Sequence, residues 1–433
     1  MRSPSQRAIV ERVADYYLTS GDFNSYPIRQ LATEFNIPRE KLLATASALV
    51  KRGRVTVLTS HAENPYVKRF HDLPKQEQLQ LLLASDLNQA CLYPSRSHLK
   101  RAVNPAKYKG RPFTLRLALG EPQLAYEVFD LTVLEAYRND PRYYYDTDDI
   151  SGHISIHSKH EKDLARSDQV LLESFGFAFN TKLDRAVAVF LRYLSGFSPE
   201  HQQMWRSRAL PRHRYKLHPD YYRSAILGRW YEGVSVFDAV LEEVHCVNEM
   251  CKLIGWQPLF RNEFREGSKP PNFGFLIRPT LAQQSEFVHL LDKVLSENLN
   301  REFFRGQVAF ESEHARKDGK IEVRPKGTIQ MLDDWLAKRF RTPDRTPIVE
   351  AIQTFKLVRQ KRQKPAHSVD ENVFDQKYYH EQREIMAKVY ASVQTLRLLL
   401  ANHPRASAFR SNRHSHTAEP GSRLRSPQGE RRP

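Results

Sequence analysis

Cysteine and long apolar stretches are both scarce in this 433-residue chain. Its three cysteines are too few for a disulfide framework, which is typical of proteins in the reducing cytoplasm. No apolar run approaches the roughly 20 residues that a membrane-spanning helix requires, and the N-terminal residues include no apolar stretch of the signal-peptide type. We therefore expect a cytoplasmic protein with no membrane partner.

The sequence motifs of common nucleotide-dependent enzymes and hydrolases are missing as well. There is no GxxxxGK[ST] phosphate loop, no GxGxxG dinucleotide fingerprint, no HExxH zinc motif and no GxSxG nucleophile elbow. Two polar clusters resemble metal ligands in composition alone: His153, His157 and His160, and Asp146, Asp148 and Asp149. Because neither has the spacing of a metal-binding family, we interpret both as solvated turns and expect no metal and no other cofactor.

Positive charge is what the chain has in excess. Lys+Arg number 67 and Asp+Glu 50, which gives a formal net charge of +17. This balance favours a polyanionic partner, and nucleic acid is the commonest one. Apolar residues make up 40% and aromatic residues 11%, enough for hydrophobic cores. The length predicts two to four folding units, and we expect a multidomain, mainly α-helical protein with an α+β middle.

Residues 1–62 contain three helical patterns followed by a strand pattern. Ile9, Val13 and Tyr17 share one helix face, residues 27–35 form a second short pattern, and residues 39–52 a third. The alternation of residues 54–58 is typical of a strand. This order resembles a winged helix-turn-helix domain, whose third helix enters the major groove of DNA.

The resemblance implies a nucleic-acid-binding surface on the third helix and just after it. Its members would be Arg39, Lys41, Thr45, Ser47, Lys51, Arg52 and Arg54. Basic and short polar side chains at such positions contact phosphates and base edges of duplex DNA. Winged helices also serve as protein-docking modules, and the charge of this segment does not separate the two roles.

The sequence pattern in the middle of the chain predicts an α+β domain followed by a helical connector. We expect an α+β domain over residues 65–215, with a strand at 114–120, a helix at 121–138 and a hairpin that turns at 180–184. Residues 216–279 read as a helical connector. His245, Cys246 and Cys251 fall in its helical pattern, and we interpret them as helix-core residues.

Residues 280–403 predict nearly continuous helix and a bundle of the four-helix type. Apolar stripes recur at helical spacing, and short loops imply antiparallel neighbours. The tail, 404–433, carries seven arginines and two glutamates and is disordered by composition. It would add non-specific, salt-dependent affinity for nucleic acid, or serve only to keep the protein soluble.

One motif in the bundle stands out by its position. Arg362 and His367 form an R-x4-H pair at the end of an amphipathic helix, with Pro365 between them and Arg359 one turn earlier. Such a pair in a helical bundle resembles the HEPN ribonuclease family, over about residues 325–403. The resemblance implies metal-independent RNA cleavage at a site shared by two chains of a homodimer. Members of the family often have an acidic residue one turn before a basic residue in an earlier helix, and Asp334 and Lys338 would occupy these two positions.

The residue types suit that chemistry. Histidine, with a reference pKa of about 6.5, accepts or releases a proton near neutral pH, so His367 would move the proton of the RNA 2′-OH. The planar fork of Arg362 would bind the charge that gathers on the phosphate oxygens. The resemblance thus implies an endoribonuclease acting as a toxin or anti-phage defence effector. The alternatives are a non-enzymatic winged-helix DNA-binding regulator that dimerises through its helical region, and a non-catalytic adaptor.

Overall fold

The computed structural model describes residues 5–59, 64–228, 234–264, 269–270, 272–315, 320–363, 371–407 and 409. Contacts divide the chain into two compact units, Met1–Tyr231 and Glu232–Pro433. The boundary lies within the predicted helical connector, so residues 216–225 belong to the first unit and not to a separate segment. Both units mix helices with strands, as expected for a multidomain α and β protein.

The first part of the N-terminal unit is a small helical cluster on a three-stranded sheet. Its elements are α1 (Gln6–Thr19), β1 (Tyr26–Pro27), α2 (Ile28–Glu34), α3 (Arg39–Lys51), β2 (Val55–Leu58), α4 (Lys75–Ala84) and β3 (Cys91–Pro94). The side chain of Ser5 caps α1 by accepting from the amide of Ala8. Gly53, at a φ of +63°, adopts the left-handed conformation that ends α3.

The sheet has the strand order β1-β3-β2, and both pairings are antiparallel. The middle strand comes from Cys91–Pro94, so this substructure continues past residue 62, where the sequence placed its boundary. Helix α4 packs Leu82 into the same apolar cluster as Leu42 and Leu49 of α3. A boundary at 62 was wrong because the strand that closes the sheet is contributed by residues far along the chain.

The rest of the N-terminal unit is built on an antiparallel sheet of seven strands. Its elements are α5 (Arg96–Ala102), α6 (Pro112–Ala118), β4 (Tyr126–Phe129), α7 (Glu135–Arg138), β5 (Tyr143–Thr147), β6 (Ser151–Ile156), β7 (Leu172–Phe179), β8 (Arg185–Phe190), α8 (Leu191–Ser195), α9 (Pro199–Ser207), β9 (Ala209–Leu210), β10 (Lys216–Leu217) and α10 (Pro219–Ala225). The strand order is β5-β6-β7-β8-β4-β9, and β10 pairs with β7.

Two sequence predictions in this region were wrong, and one was confirmed. Residues 114–120, expected as a strand, lie mostly in α6, where Pro112 starts the helix and Phe113 and Leu117 are buried one turn apart. The helix expected over 121–138 contains β4, which pairs with β8. The predicted hairpin is present as β7 and β8, and Asn180 accepts hydrogen bonds across its turn.

The C-terminal unit is a helical assembly with one hairpin. Its elements are α11 (Val236–Ile254), α12 (Leu281–Val294), β11 (Glu311–Ala315), β12 (Ile321–Pro325), α13 (Thr328–Arg339), α14 (Thr346–Gln363) and α15 (Lys377–Ala401). The antiparallel pair β11–β12 corrects the expectation of continuous helix over 280–403.

Contacts within this unit join α15 to α11 and to α14, and join α14 to α12. Arg397 of α15 binds Glu243 of α11, and burial raises the pKa of that carboxyl although the arginine opposes the shift. Within the described ranges, no helix is both long and apolar enough to cross a membrane. Of the tail predicted to be disordered, residue 408 and residues 410–433 lie outside the described part of the chain.

Candidate functional site

Arg359 and Arg362 are brought together by the amphipathic pattern of α14. Ile352, Phe355 and Val358 bury one face of this helix against its neighbours. The two arginines lie one turn apart in the last turns of the helix, next to that buried face. Their side chains remain 32% and 27% exposed, so each is mostly buried but still reaches solvent.

Both arginines bind one buried carboxylate from another helix. Asp292, near the end of α12, has a side chain with no exposure to solvent. Its Oδ2 accepts from Nη1 of Arg362 at 2.7 Å, and Nε of Arg359 lies 3.2 Å from its Oδ1. A buried charge requires such compensation, because desolvation of an unpaired carboxylate costs several kcal/mol. Asp292 thus holds Arg362 by a hydrogen bond and Arg359 by an ion pair alone, because neither Nε of Arg359 nor Oδ1 of Asp292 makes a hydrogen bond within the described residues.

Glu297 completes the cluster from the turn after α12. Its amide donates to the carbonyl of Asp292 at 3.0 Å, which brings the two acidic residues close together. The carboxylate of Glu297 accepts from the same Nη1 of Arg362 that binds Asp292. The four side chains therefore carry two positive and two negative formal charges.

The cluster lowers the pKa of Glu297, although partial burial of the carboxylate opposes the shift. The hydrogen bond from Arg362 holds the pKa of Glu297 below its usual range, with smaller Coulombic contributions from Arg359 and His289. The hydrogen bonds that Arg362 donates to Asp292 and to Glu297 raise the pKa of its guanidinium group, and the bond to Asp292 has the larger effect. The guanidinium of Arg362 is therefore charged at every pH at which the protein folds.

The lowered pKa of Glu297 predicts how stability depends on pH. Because the folded-state pKa is below the unfolded value of about 4.3, this carboxylate stabilises the protein above that pH and loses its effect as pH falls through the folded value. Glu297→Gln should reduce the free energy of unfolding at pH 7 by about 0.5–1 kcal/mol, as for a screened ion pair. Urea unfolding of both proteins from pH 7 to 3.5 measures the difference.

That difference should shrink below pH 4.3 or so and also at about 1 M salt, where charges are screened. A deficit in Glu297→Gln that stays constant down to pH 3.5 would show that the substitution acts through packing and not through charge.

The other members of the predicted catalytic set are placed differently. His367 and Pro365 lie outside the described residues, which end at Gln363 and resume at Glu371. Asp334 of α13 binds Lys326 at 2.6 Å, and Nζ of Lys338 donates to the carbonyl of Gln307 at 2.7 Å. The acidic partner of the two arginines is Asp292 of α12, which the sequence did not indicate.

The predicted nucleic-acid-binding residues fall at the two ends of α3. Arg39 and Lys41 are exposed in its first turn, and Lys51, Arg52 and Arg54 are exposed at its other end and beyond. The helix has 13 residues, so the two basic groups are separated by roughly 18 Å along its axis. Nη1 of Arg52 donates to the side chain of Gln6 in α1.

Thr45 and Ser47 are half-buried, and the hydroxyl of Thr45 donates to the carbonyl of Lys41 at 2.7 Å. Asp86, which follows α4, is an acidic neighbour that the sequence did not indicate. Hydrogen bonds from Asn88 lower the pKa of Asp86, and Arg39 and Arg29 lower it further. One negative charge therefore lies near the basic start of α3.

The polar clusters interpreted as solvated turns have local partners. His153 and His157 both contact the ring of Tyr144, and Nδ1 of His160 lies 2.8 Å from Asp163. Asp148 accepts from the amides of residues 150 and 151, as in a capped turn.

The helical connector holds a group that the sequence missed. Cys246 and Cys251 are buried, as expected, whereas His245 is 28% exposed and faces Glu249 and Glu263. The spacing of His245 and Glu249, four residues apart in a helix, is a signal for a shared face. No local pattern places Glu263 beside them.

In comparisons with known proteins, no protein-family model, no curated protein and no solved structure matches the chain.

Proposed function

We propose that the chain is a metal-independent endoribonuclease whose C-terminal unit carries the catalytic residues. The observation that supports this most directly is the pair of arginines at the end of α14, which Asp292 holds in place immediately before the segment that contains His367. A fixed guanidinium binds developing charge on a phosphate without reorganising, which is the main way in which such a site lowers a barrier. His367, which follows Arg362 in the sequence with four residues between them, would supply the proton transfer.

In this proposal Arg362 and Arg359 bind the phosphate through the part of each side chain that reaches solvent. Asp292 has the separate task of orienting them, since its carboxylate is buried and cannot reach RNA. Glu297, which is 34% exposed, is the carboxylate that an incoming phosphate would displace from Arg362. His367 removes the proton from the 2′-OH or returns it to the leaving oxygen.

By the resemblance to HEPN proteins, the site is shared by two copies of the chain, and the cellular role is that of a cytoplasmic toxin or anti-phage effector. RNA degradation by the purified protein tests the chemistry. Single-stranded RNA should be cleaved equally with and without EDTA, because protons and positive charge, not a metal ion, carry the reaction. Intact RNA after incubation, or cleavage that EDTA abolishes, would contradict the proposal.

A second candidate function rests on the N-terminal unit: recognition of duplex DNA. Its support is the arrangement of α1, α2 and α3 on the sheet β1-β3-β2, with basic residues exposed at both ends of α3. In a winged helix-turn-helix domain the equivalent helix enters the major groove, and basic side chains at its ends bind phosphates. This role is compatible with the ribonuclease, since the two functions use different units.

Salt dependence separates DNA binding from protein docking. Each phosphate neutralised by the protein contributes about −0.9 to the slope of log affinity against log salt concentration. Replacing Arg39 and Lys41 with alanine should therefore weaken binding and flatten that slope by about 2. Fluorescence anisotropy of a labelled duplex between about 50 and 200 mM salt measures both quantities.

The measurement requires a chain without the basic tail, cut after Phe409. A cut after Ala401 would remove Ala406, which is fully buried, and Arg405, which donates to the carbonyl of Ile254. If the shortened protein and its double variant bind duplex DNA alike, the start of α3 is not a DNA-binding surface.

A further inference from the structure

Three side chains with metal-binding atoms converge in the C-terminal unit, among residues that neither proposed function uses. His245 and Glu249 lie one turn apart on α11, and Glu263 comes from the loop that follows this helix. One ligand atom of each lies within 4.8 Å of the other two. Imidazole nitrogen and carboxylate oxygen are donors that zinc and related divalent ions accept.

Two buried asparagines fix the loop that presents Glu263. The side chain of Asn248 accepts from the amide of Phe260 at 2.9 Å and donates to its carbonyl at 2.8 Å. Asn298 makes the same pair of bonds with Asn262, at 2.8 and 3.0 Å. Because both asparagines are almost fully buried, the core of the unit sets the position of the backbone next to Glu263.

The imidazole of His245 has an unsatisfied nitrogen that faces this loop. Its Nδ1 is buried and makes no hydrogen bond within the described part of the chain. The nearest carboxylate oxygen, Oε2 of Glu263, is 3.9 Å away, too far for a hydrogen bond. Two ligands at about 2.1 Å from one tetrahedral zinc are about 3.4 Å apart. A shift of about half an ångström would therefore let both atoms bind one ion.

A cation already occupies part of the cluster. Nζ of Lys252 lies 2.7 Å from Glu249 and 2.6 Å from Glu263, so the two carboxylates share one positive charge. The ammonium group donates hydrogen bonds to oxygen and leaves the Nδ1 of His245 unsatisfied. The side chain of Lys252 is 42% exposed, and its ammonium group is carried by a flexible chain of four carbons. The ammonium group can therefore move into solvent when a metal ion takes its place between the carboxylates.

We propose that His245, Glu249 and Glu263 form a binding site for a divalent transition-metal ion of the zinc type, with Lys252 as an internal competitor. The ion would take one nitrogen and two oxygen ligands from the protein, and water would fill the remaining position. It would join α11 to the loop after it. The site is independent of the proposed ribonuclease reaction, which needs no metal.

Metal binding to the full-length protein tests the site. Protein freed of metal is titrated with zinc chloride in competition with a chromophoric chelator, and cobalt(II) reports the ligands through its visible spectrum. We expect one tightly bound ion in the wild type. His245→Asn and Glu263→Gln should each weaken binding at least about tenfold, whereas Lys252→Met should strengthen it about tenfold because the competing charge is gone.

His160→Asn is the matched control, because it removes a histidine that also pairs with a carboxylate, Asp163. Its affinity should equal that of the wild type. The cobalt spectrum should show no thiolate charge-transfer band, although Cys246 and Cys251 lie on the same helix. Thermal unfolding without metal verifies that each variant folds, and Glu249→Gln replaces Glu263→Gln if the latter does not.

Two results would overturn the proposal. One is unchanged affinity in both folded ligand variants, which would assign the zinc to other histidines of the chain. The other is a Lys252→Met protein that binds zinc no better than the wild type, since the ion would then not compete for the lysine position.

Discussion

Replacing His367 with alanine is expected to lower the rate of RNA cleavage by about 10²- to 10⁴-fold, the usual contribution of a general acid or base. The reason is that His367 is the one residue assigned to proton transfer in the proposed site. Initial cleavage rates of a labelled single-stranded RNA, with enzyme in excess, measure the effect.

Lys361→Ala is the control for charge at this end of the helix. Lys361 lies between the two arginines in sequence but binds Glu381 of α15, at 3.2 Å, and not Asp292. Its removal should alter the rate less than about threefold if charge steering alone is affected. The unfolding temperatures of all variants are also measured, so that a loss of activity can be distinguished from a loss of the folded structure. A His367→Ala protein that cleaves as fast as the wild type would show that His367 is not the proton-transfer group and would remove the basis of the HEPN resemblance.

Elements set by local sequence were predicted well. The helix that Ser5 caps and the one that buries Ile352 and Phe355 both lie where apolar spacing indicated them, because capping and periodicity act over a few residues. Strands set by distant pairing were missed. Tyr126–Phe129 reads as helix by itself, and only its position between β8 and β9 makes it a strand.

The candidate site shows the same division between local and distant information. The spacing of Arg359 and Arg362 predicts that they share a helix face, and they do. Their partner Asp292 is 70 residues from Arg362 in the chain, so spacing could not identify it. One signal was present: Asp292 is a lone carboxylate among the apolar positions Leu291 and Leu295, and a charge on a buried face requires a partner.

The pairing with Asp292 makes Arg359 and Arg362 important for the stability of the fold. Replacing Arg359 and Arg362 together with methionine keeps much of their apolar length but leaves the carboxylate of Asp292 buried without either positive charge. Breaking a buried ion pair on one side costs about 3–5 kcal/mol, and we expect about 3 because both arginines are partly exposed. Urea unfolding measures this loss.

Adding Asp292→Asn to that double variant should recover most of the lost stability, since an amide in the same place has no charge to compensate. The recovery is the decisive measurement, because lost packing of the arginine side chains would not be restored by an amide. The triple variant also separates the two roles of the arginines. It should unfold nearly as the wild type does and still fail to cleave RNA, because no guanidinium is left to bind the phosphate. A triple variant that is stable and active would show that the arginines serve the fold alone.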